Sequence, residues 1–277
     1  MENASPSLRN TLQTARKSKR ISQLELALRM GVSQRHVSFV ESGRAQPSRE
    51  LLLSWLHELQ APLGLRNVAL QQAGFAPVYG GSELSDAVLA PVRDALGRLL
   101  AAHDPMPAMV MDAAWNVRQM NRGAQWLALT LMPWIMQLPQ DQPLNLLDAM
   151  LHPEGMTRHM TNLEEVAPAM LAHLRDDAST VPELLPRVEM LTAQIQKRLG
   201  KRPLIHYFNS APRQTAPVLT TRFSTAHGEL AFFSMFSTFG TPLDITLASL
   251  RVEHLFAADD VTRAVIAAQG GRVTMPP

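Results

Sequence analysis

Apolar residues recur at three- and four-residue spacing through the first seventy positions and again between about residues 87 and 200. From about residue 218 the pattern switches to alternation. A three-to-four period marks helices with one buried face, and a period of two marks half-buried strands. The N-terminal stretch reads as five short helices. The first runs from about Leu8 to Lys19, with Leu8, Leu12 and Ala15 on one face. Ser22 then stands as an N-cap, with Glu25 three residues on to complete a capping box. The helix it opens carries Leu24, Leu26, Ala27 and Leu28 and stops at Met30-Gly31, where glycine enters the left-handed conformation at little cost. Ser33 caps a third helix over Gln34–Ser42, which Gly43 ends. Pro47-Ser48 starts a fourth, and a fifth spans about Pro62–Gln71.

Residues 72–86, QAGFAPVYGGSELSD, are rich in Gly, Ser and Pro and read as a boundary on which Phe75 and Tyr79 are candidates for packing. A helix follows over about Ala87–His103, with Leu89, Val92, Leu96, Leu99 and Leu100 on one face. Apolar stretches Ala108–Met111 and Trp115–Met120 form a hairpin across Asp112-Ala113-Ala114. Asn121 caps a helix through Leu129. Leu144–Leu151, Met156–Arg175 and Pro182–Leu199 are helical in pattern. Val218–Thr225, Glu229–Ser237 and Asp244–Leu250 alternate as strands, and a last helix lies near Asp259–Gln269. Five strands around a helical middle define an α+β layer arrangement. The expected organisation is an all-α five-helix domain over 1–72, a linker over 73–86, an α+β domain over 87–269 and a disordered tail over 270–277.

The formal charge of +2 on 277 residues hides an asymmetry. Residues 1–70 carry ten Lys/Arg against five Asp/Glu, and the remainder sixteen against nineteen. A basic head on a slightly acidic body points to a polyanionic partner for the head alone. Cysteine is absent, which excludes disulfides and thiolate chemistry. No apolar run approaches the roughly 18 residues that cross a bilayer, and the polar N-terminus lacks a signal-peptide layout. A cytoplasmic protein without membrane insertion is the expectation.

Two short helices joined by a three- or four-residue turn form a helix-turn-helix unit, although serine caps and glycine stops occur in any small bundle. The string QLELALRMGVSQRHVSFVESGRAQPSRELLLSWL resembles the lambda-repressor-like, or XRE, family of DNA-binding domains. The recurrent elements are Gln23, Ala27, Gly31-Val32-Ser33, Val37, Glu41, Gly43 and Pro47. The resemblance implies that the helix from Gln34 enters the major groove of duplex DNA. Gln34, Arg35 and Ser38 are the base-reading candidates, joined by Phe39 and His36, because Gln pairs with adenine, Arg with guanine, and an aromatic edge meets a thymine methyl. Gln23, Ser33, Arg44 and Arg49 are the phosphate candidates. Arg16 and Glu41 match a family pair that forms a structural salt bridge.

The runs PAMVMDAAWNVRQMNRGAQWL, NLLDAMLHPEGMTRHMTNLEEVAPAMLAHLRDD and STAHGELAFFSMFSTFGTPLDITLASLRVEH resemble the MmyB-like regulator ligand-binding domain. That resemblance implies a PAS-like sensor domain with a pocket for an apolar, fatty-acid-like ligand. Fifteen methionines suit such a pocket, since Met adapts to irregular apolar volumes. Met109, Met111, Trp115, Trp126, Met132, Trp134, Phe223, Phe232 and Met235 are the lining candidates, against the plainer reading that they are ordinary core. Arg122 and His206 are the head-group candidates by position.

Nine histidines do not assemble a metal site: His152 and His159 are separated by Pro153-Glu154-Gly155, and no HExxH occurs. There is no nucleophile elbow or phosphate loop. The residues therefore point to no enzyme, metal or cofactor site, and the resemblance implies a bound fatty acid or similar apolar molecule. The two resemblances together imply a homodimeric transcription regulator on a palindromic operator, since one recognition helix reads only a few base pairs. The dimer contact falls in the sensor domain or on the Ala87–His103 helix. The competing reading keeps the DNA-binding head and makes the second domain a ligand-free interaction module. A closed apolar cavity of a few hundred Å3 separates the two.

Overall fold

In a computed structural model, which describes residues 7–139, 143–200 and 218–269, the N-terminal helices are α1 (Leu8–Ser18), α2 (Gln23–Met30), α3 (Gln34–Glu41), α4 (Arg49–Glu58) and α5 (Leu63–Gln72). Serine side chains cap three of them. The hydroxyls of Ser22, Ser33 and Ser48 accept from the N–H groups of Glu25, His36 and Leu51 at 3.1–3.2 Å, satisfying donors with no partner inside the helix. The second half of the expected capping box is replaced, because the Glu25 carboxylate pairs with Arg29 one turn on. Gly31 ends α2 at φ +67°, a conformation that strains any residue with a Cβ. Leu12, Leu26, Ala27, Val37, Val40, Leu52, Trp55 and Leu70 form the buried core.

The second unit has a five-stranded sheet: β1 (Ala108–Met111), β2 (Val117–Met120), β3 (Thr221–Thr225), β4 (Gly228–Thr238) and β5 (Arg251–Ala257). All pairings are antiparallel, in the order β2-β1-β5-β4-β3. Helix α6 (Ala90–His103) precedes the sheet. The middle of the chain supplies α7 (Arg122–Leu131), α8 (Leu146–Leu151), α9 (Met156–His159), α10 (Leu163–Thr180) and α11 (Leu185–Leu199). A short α12 (Ile245–Ser249) joins β4 to β5, and α13 (Asp260–Gln269) follows. One core lies between the sheet and helices α7, α8, α10 and α11. This is the five-helix domain followed by an α+β sensor-like domain that the pattern predicts.

Buried Asn121 ties the start of α7 to its surroundings. Its Oδ1 accepts from the N–H groups of Ala108 and Ala124, both at 2.9 Å, and its Nδ2 donates to the carbonyls of Leu100 and Met106. All its hydrogen-bonding capacity is used, as burial of an amide requires.

Two expectations are corrected. The helix expected over 156–175 breaks at Met160-Thr161-Asn162, where the backbone pairs with β3. Thr161 N–H donates to the Arg222 carbonyl, and Asn162 bonds Arg222 N–H and the Thr220 carbonyl. Asp244–Leu250 is not a strand: the Asp244 carboxylate accepts from the N–H groups of Thr246 and Leu247, nucleating α12, and the strand begins at Arg251. The stretch at the boundary is held to the first unit. The first unit extends to Glu83 and includes Thr241–Ala248, and the second spans Leu84–Gly240 and resumes at Ser249. Phe75 packs on the helical core. Asn67 bonds the backbone of Val78 and Tyr79, fastening this stretch to α5. Ser82 N–H donates to Asp244 at 3.0 Å. The predicted tail, 270–277, lies outside the described residues.

Candidate functional site: a DNA-reading helix and an apolar cavity

Helix α3 turns Val37 and Val40 into the core and leaves Gln34 and Arg35 exposed, with His36, Ser38 and Phe39 half-buried. Phe39 has cations on its ring. The guanidinium of Arg35 lies 5.1 Å from the ring centroid and that of Arg44 5.9 Å. Such contacts orient long side chains that would otherwise be free. Phe39 therefore organises two basic residues, a role not assigned to it from the sequence. Ser33 and Arg49 are exposed at the N-termini of α3 and α4.

Behind this surface, Glu41 accepts from Arg16 Nε at 2.7 Å, Arg16 Nη2 at 2.8 Å and Gln23 Nε2 at 2.8 Å. Burial alone would raise the Glu41 pKa. The bonds from Arg16 and Gln23 outweigh that and hold it below the ordinary carboxylate range. The bond to Glu41 correspondingly raises Arg16. Gln23 thus gives one amide hydrogen to Glu41, and it stands at the N-terminus of α2, whose free backbone N–H groups suit a phosphate.

The second unit holds a partly open cavity of about 390 Å3, within the range of about 300–1,000 Å3 that small-molecule sites occupy. Its walls are mostly apolar: Met109 of β1, Leu127, Ala128 and Leu131 of α7, Met150 of α8, Met156 of α9, Met170 of α10, and Phe223 and Phe232 of the sheet. Trp115 enters through a strained turn at φ +67°. That conformation is uncommon for a bulky side chain. Asp112 holds it, accepting from the N–H groups of Ala114 and Asn116. The indole N–H then donates to Asp177 at 2.8 Å. Arg251 pairs with Asp177 at 2.8 Å and stacks 4.3 Å from the Trp115 ring centroid. The polar lining residues are His173, Thr221, Ser234 and Glu253.

Of the nine candidate lining residues, Met109, Trp115, Met132, Phe223 and Phe232 line this cavity and four do not. Met111 is buried in the core beyond a slip in the β1–β2 ladder. Trp126 is buried against His227, and Trp134 stacks on His152 with its N–H on the Glu154 carbonyl. Met235 is 56% exposed. Ser234 and Phe236, its neighbours on β4, line the cavity instead, since successive strand residues face opposite sides. Arg122 is also corrected: it sits at the exposed start of α7, paired with Asp104 at 3.0 Å, and does not line the cavity. His206 lies outside the described residues. Sequence reasoning missed Glu253, Ser234 and His173; the parity of β4 and β5 was the signal that would have found the first two.

A basic-surfaced helix-turn-helix followed by an α+β domain around an apolar cavity defines a DNA-binding transcription regulator with a ligand-binding domain. Residues 12–65 match the helix-turn-helix family model, and residues 92–268 match the model of the MmyB-like transcription regulator ligand binding domain. The chain belongs to this MmyB-like family. No curated protein matches it. No described helix is long and apolar enough to cross a membrane.

Proposed function

We propose that this regulator binds a palindromic operator as a homodimer in the cytoplasm and that an apolar, fatty-acid-like small molecule in its second domain sets its DNA affinity. Gln34, Arg35 and Ser38 read base edges, with His36 and Phe39 beside them, and Ser33, Arg44, Arg49 and the backbone of Gln23 meet phosphates. Two recognition helices on half-sites a helical turn or its multiples apart supply the specificity that one lacks. The ligand acts by binding the DNA-competent and DNA-incompetent states with different affinity, the only way it can shift that equilibrium.

The observation that carries the ligand reading is the cavity of about 390 Å3 with its methionine, leucine and phenylalanine walls. Adaptable methionine walls around a hollow of this size fit a small apolar molecule. Native mass spectrometry of the purified protein, with extraction and identification of bound molecules, tests it. An adduct of a few hundred daltons that strips into organic solvent, with a DNA affinity that differs between the stripped and loaded forms, is expected. A protein that neither carries nor takes up any apolar molecule would refute the sensor reading. Sedimentation with and without operator DNA tests the dimer.

A further inference from the structure

The turn between α1 and α2 is strongly basic. Residues 17–23, Lys-Ser-Lys-Arg-Ile-Ser-Gln, hold three cations and no acid. Lys17, Lys19 and Arg20 are all exposed. Among the described residues, the side chains of Lys19 and Arg20 have neither a hydrogen bond nor an ion pair. The nearest acid along α3, Glu41, is already held by Arg16 and Gln23. Arg20 stands at φ +55°, the left-handed position just past a helix end that favours glycine. Its N–H donates to the Lys17 carbonyl at 2.9 Å, and Ile21 N–H donates to the Arg16 carbonyl at 3.3 Å. The end of α1 thus imposes this conformation, which strains a residue with a Cβ.

The turn is fixed in one frame with α3. Arg16 Nη1 donates to the Ile21 carbonyl at 2.7 Å, while its Nε and Nη2 bond Glu41 at the end of α3. Arg20 therefore lies three residues ahead of α2, beside the helix that reads the groove. A strained position filled by a cation with no partner in the protein points to a partner outside it. We propose that Arg20 is a further phosphate-contacting residue of the DNA-binding domain, with Lys19 beside it, and that the chain forgoes the stability of a glycine here for affinity to the duplex backbone. This rests on the reading that α3 lies in the major groove. A cation at a helix C-terminus also stabilises the helix through its dipole. That purely structural role predicts the opposite sign of stability change when Arg20 becomes glycine.

The test uses the full chain and a random-sequence duplex long enough for two half-sites, since a phosphate contact is independent of sequence. Fluorescence anisotropy across a salt series is compared for the wild type, Arg20→Gly, Arg20→Ala, Arg20→Lys and Arg44→Ala. In Arg20→Gly and Arg20→Ala the slope of log affinity against log salt falls by about 0.9, a loss of about eightfold at about 0.1 M salt. Arg20→Lys keeps the slope. Hydrogen exchange supplies the second readout. Amides of α1–α5 that open with the whole domain exchange about fivefold more slowly in Arg20→Gly, because the strain is relieved, and no more slowly in Arg20→Ala.

An unchanged salt slope in Arg20→Gly overturns the inference, and a slope that still falls in Arg44→Ala leaves the reading of α3 standing. Faster exchange in Arg20→Gly also overturns it, because the arginine then serves α1. A wild type indifferent to the duplex at low salt removes the reading of α3 and this inference together.

Discussion

Replacing Glu41 with alanine removes the acceptor of three hydrogen bonds, two from Arg16 and one from Gln23. The Arg16 and Glu41 side chains are only 10% and 2% exposed, so the guanidinium loses its anion where water cannot replace it. Removing one partner of a buried ion pair costs about 3–5 kcal/mol. At about 0.05–0.15 kcal/mol per residue, the helices over residues 8–72 have a total stability of only about 3–10 kcal/mol. Glu41→Ala therefore removes from about a third to all of that stability. Hydrogen exchange followed by mass spectrometry on the full chain localises the effect. Amides of α1–α5 that exchange by whole-domain opening lose protection by roughly a hundredfold or more, at tenfold per 1.4 kcal/mol. Peptides of the sheet keep theirs. The double variant Arg16→Met with Glu41→Leu recovers most of the loss, since no charge is left buried. A drop below about tenfold in Glu41→Ala, or a double variant no better than the single, would refute the reasoning. The same pair has a pH signature. Because the folded Glu41 pKa lies below its ordinary value of about 4.5, its contribution is complete above that pH. It is lost as pH falls towards the folded value; an increase in stability on acidification contradicts the assignment.

Other substitutions report on the two sites. Arg35→Ala relaxes base preference by about 1–3 kcal/mol at one operator position, whereas Arg44→Ala weakens all duplexes and lowers the salt slope by about one. Fluorescence anisotropy on specific and random DNA across a salt series separates them, and equal losses for both would reverse the roles. Ala128→Phe places a ring in the cavity that Ala128 lines; the bound molecule disappears from native mass spectra while the sheet's circular dichroism signal is retained. A Cβ at Gly123 would lie 2.0 Å from the Pro105 carbonyl oxygen. Gly123→Ala therefore destabilises the second unit by about 1–3 kcal/mol through overpacking, seen as faster exchange around the start of α7.

Much of this protein is legible from local chemistry. Ser22, Ser33, Ser48 and Asn121 cap the helices they precede because a short polar side chain meets the first free N–H groups wherever such a helix starts. The basic face of α3 follows from a period that sends Val37 and Val40 inward. What local pattern did not decide depends on partners distant in sequence. Gln23 reads as a phosphate contact from its place at the start of a helix, and only the fold shows that Glu41, eighteen residues on, accepts from its amide. Helix propensity across Met160–Asn162 yields to β3, sixty residues later, which supplies the backbone partners. The cavity wall depends on parity and register. Ser234 and Phe236 face inward and Met235 outward because β4 pairs with β5 in one register, and a shift of one residue would exchange them. Glu253 is an unremarkable acid in an alternating strand until that register places it opposite Phe236, at the edge of a space bounded by helices from the middle of the chain.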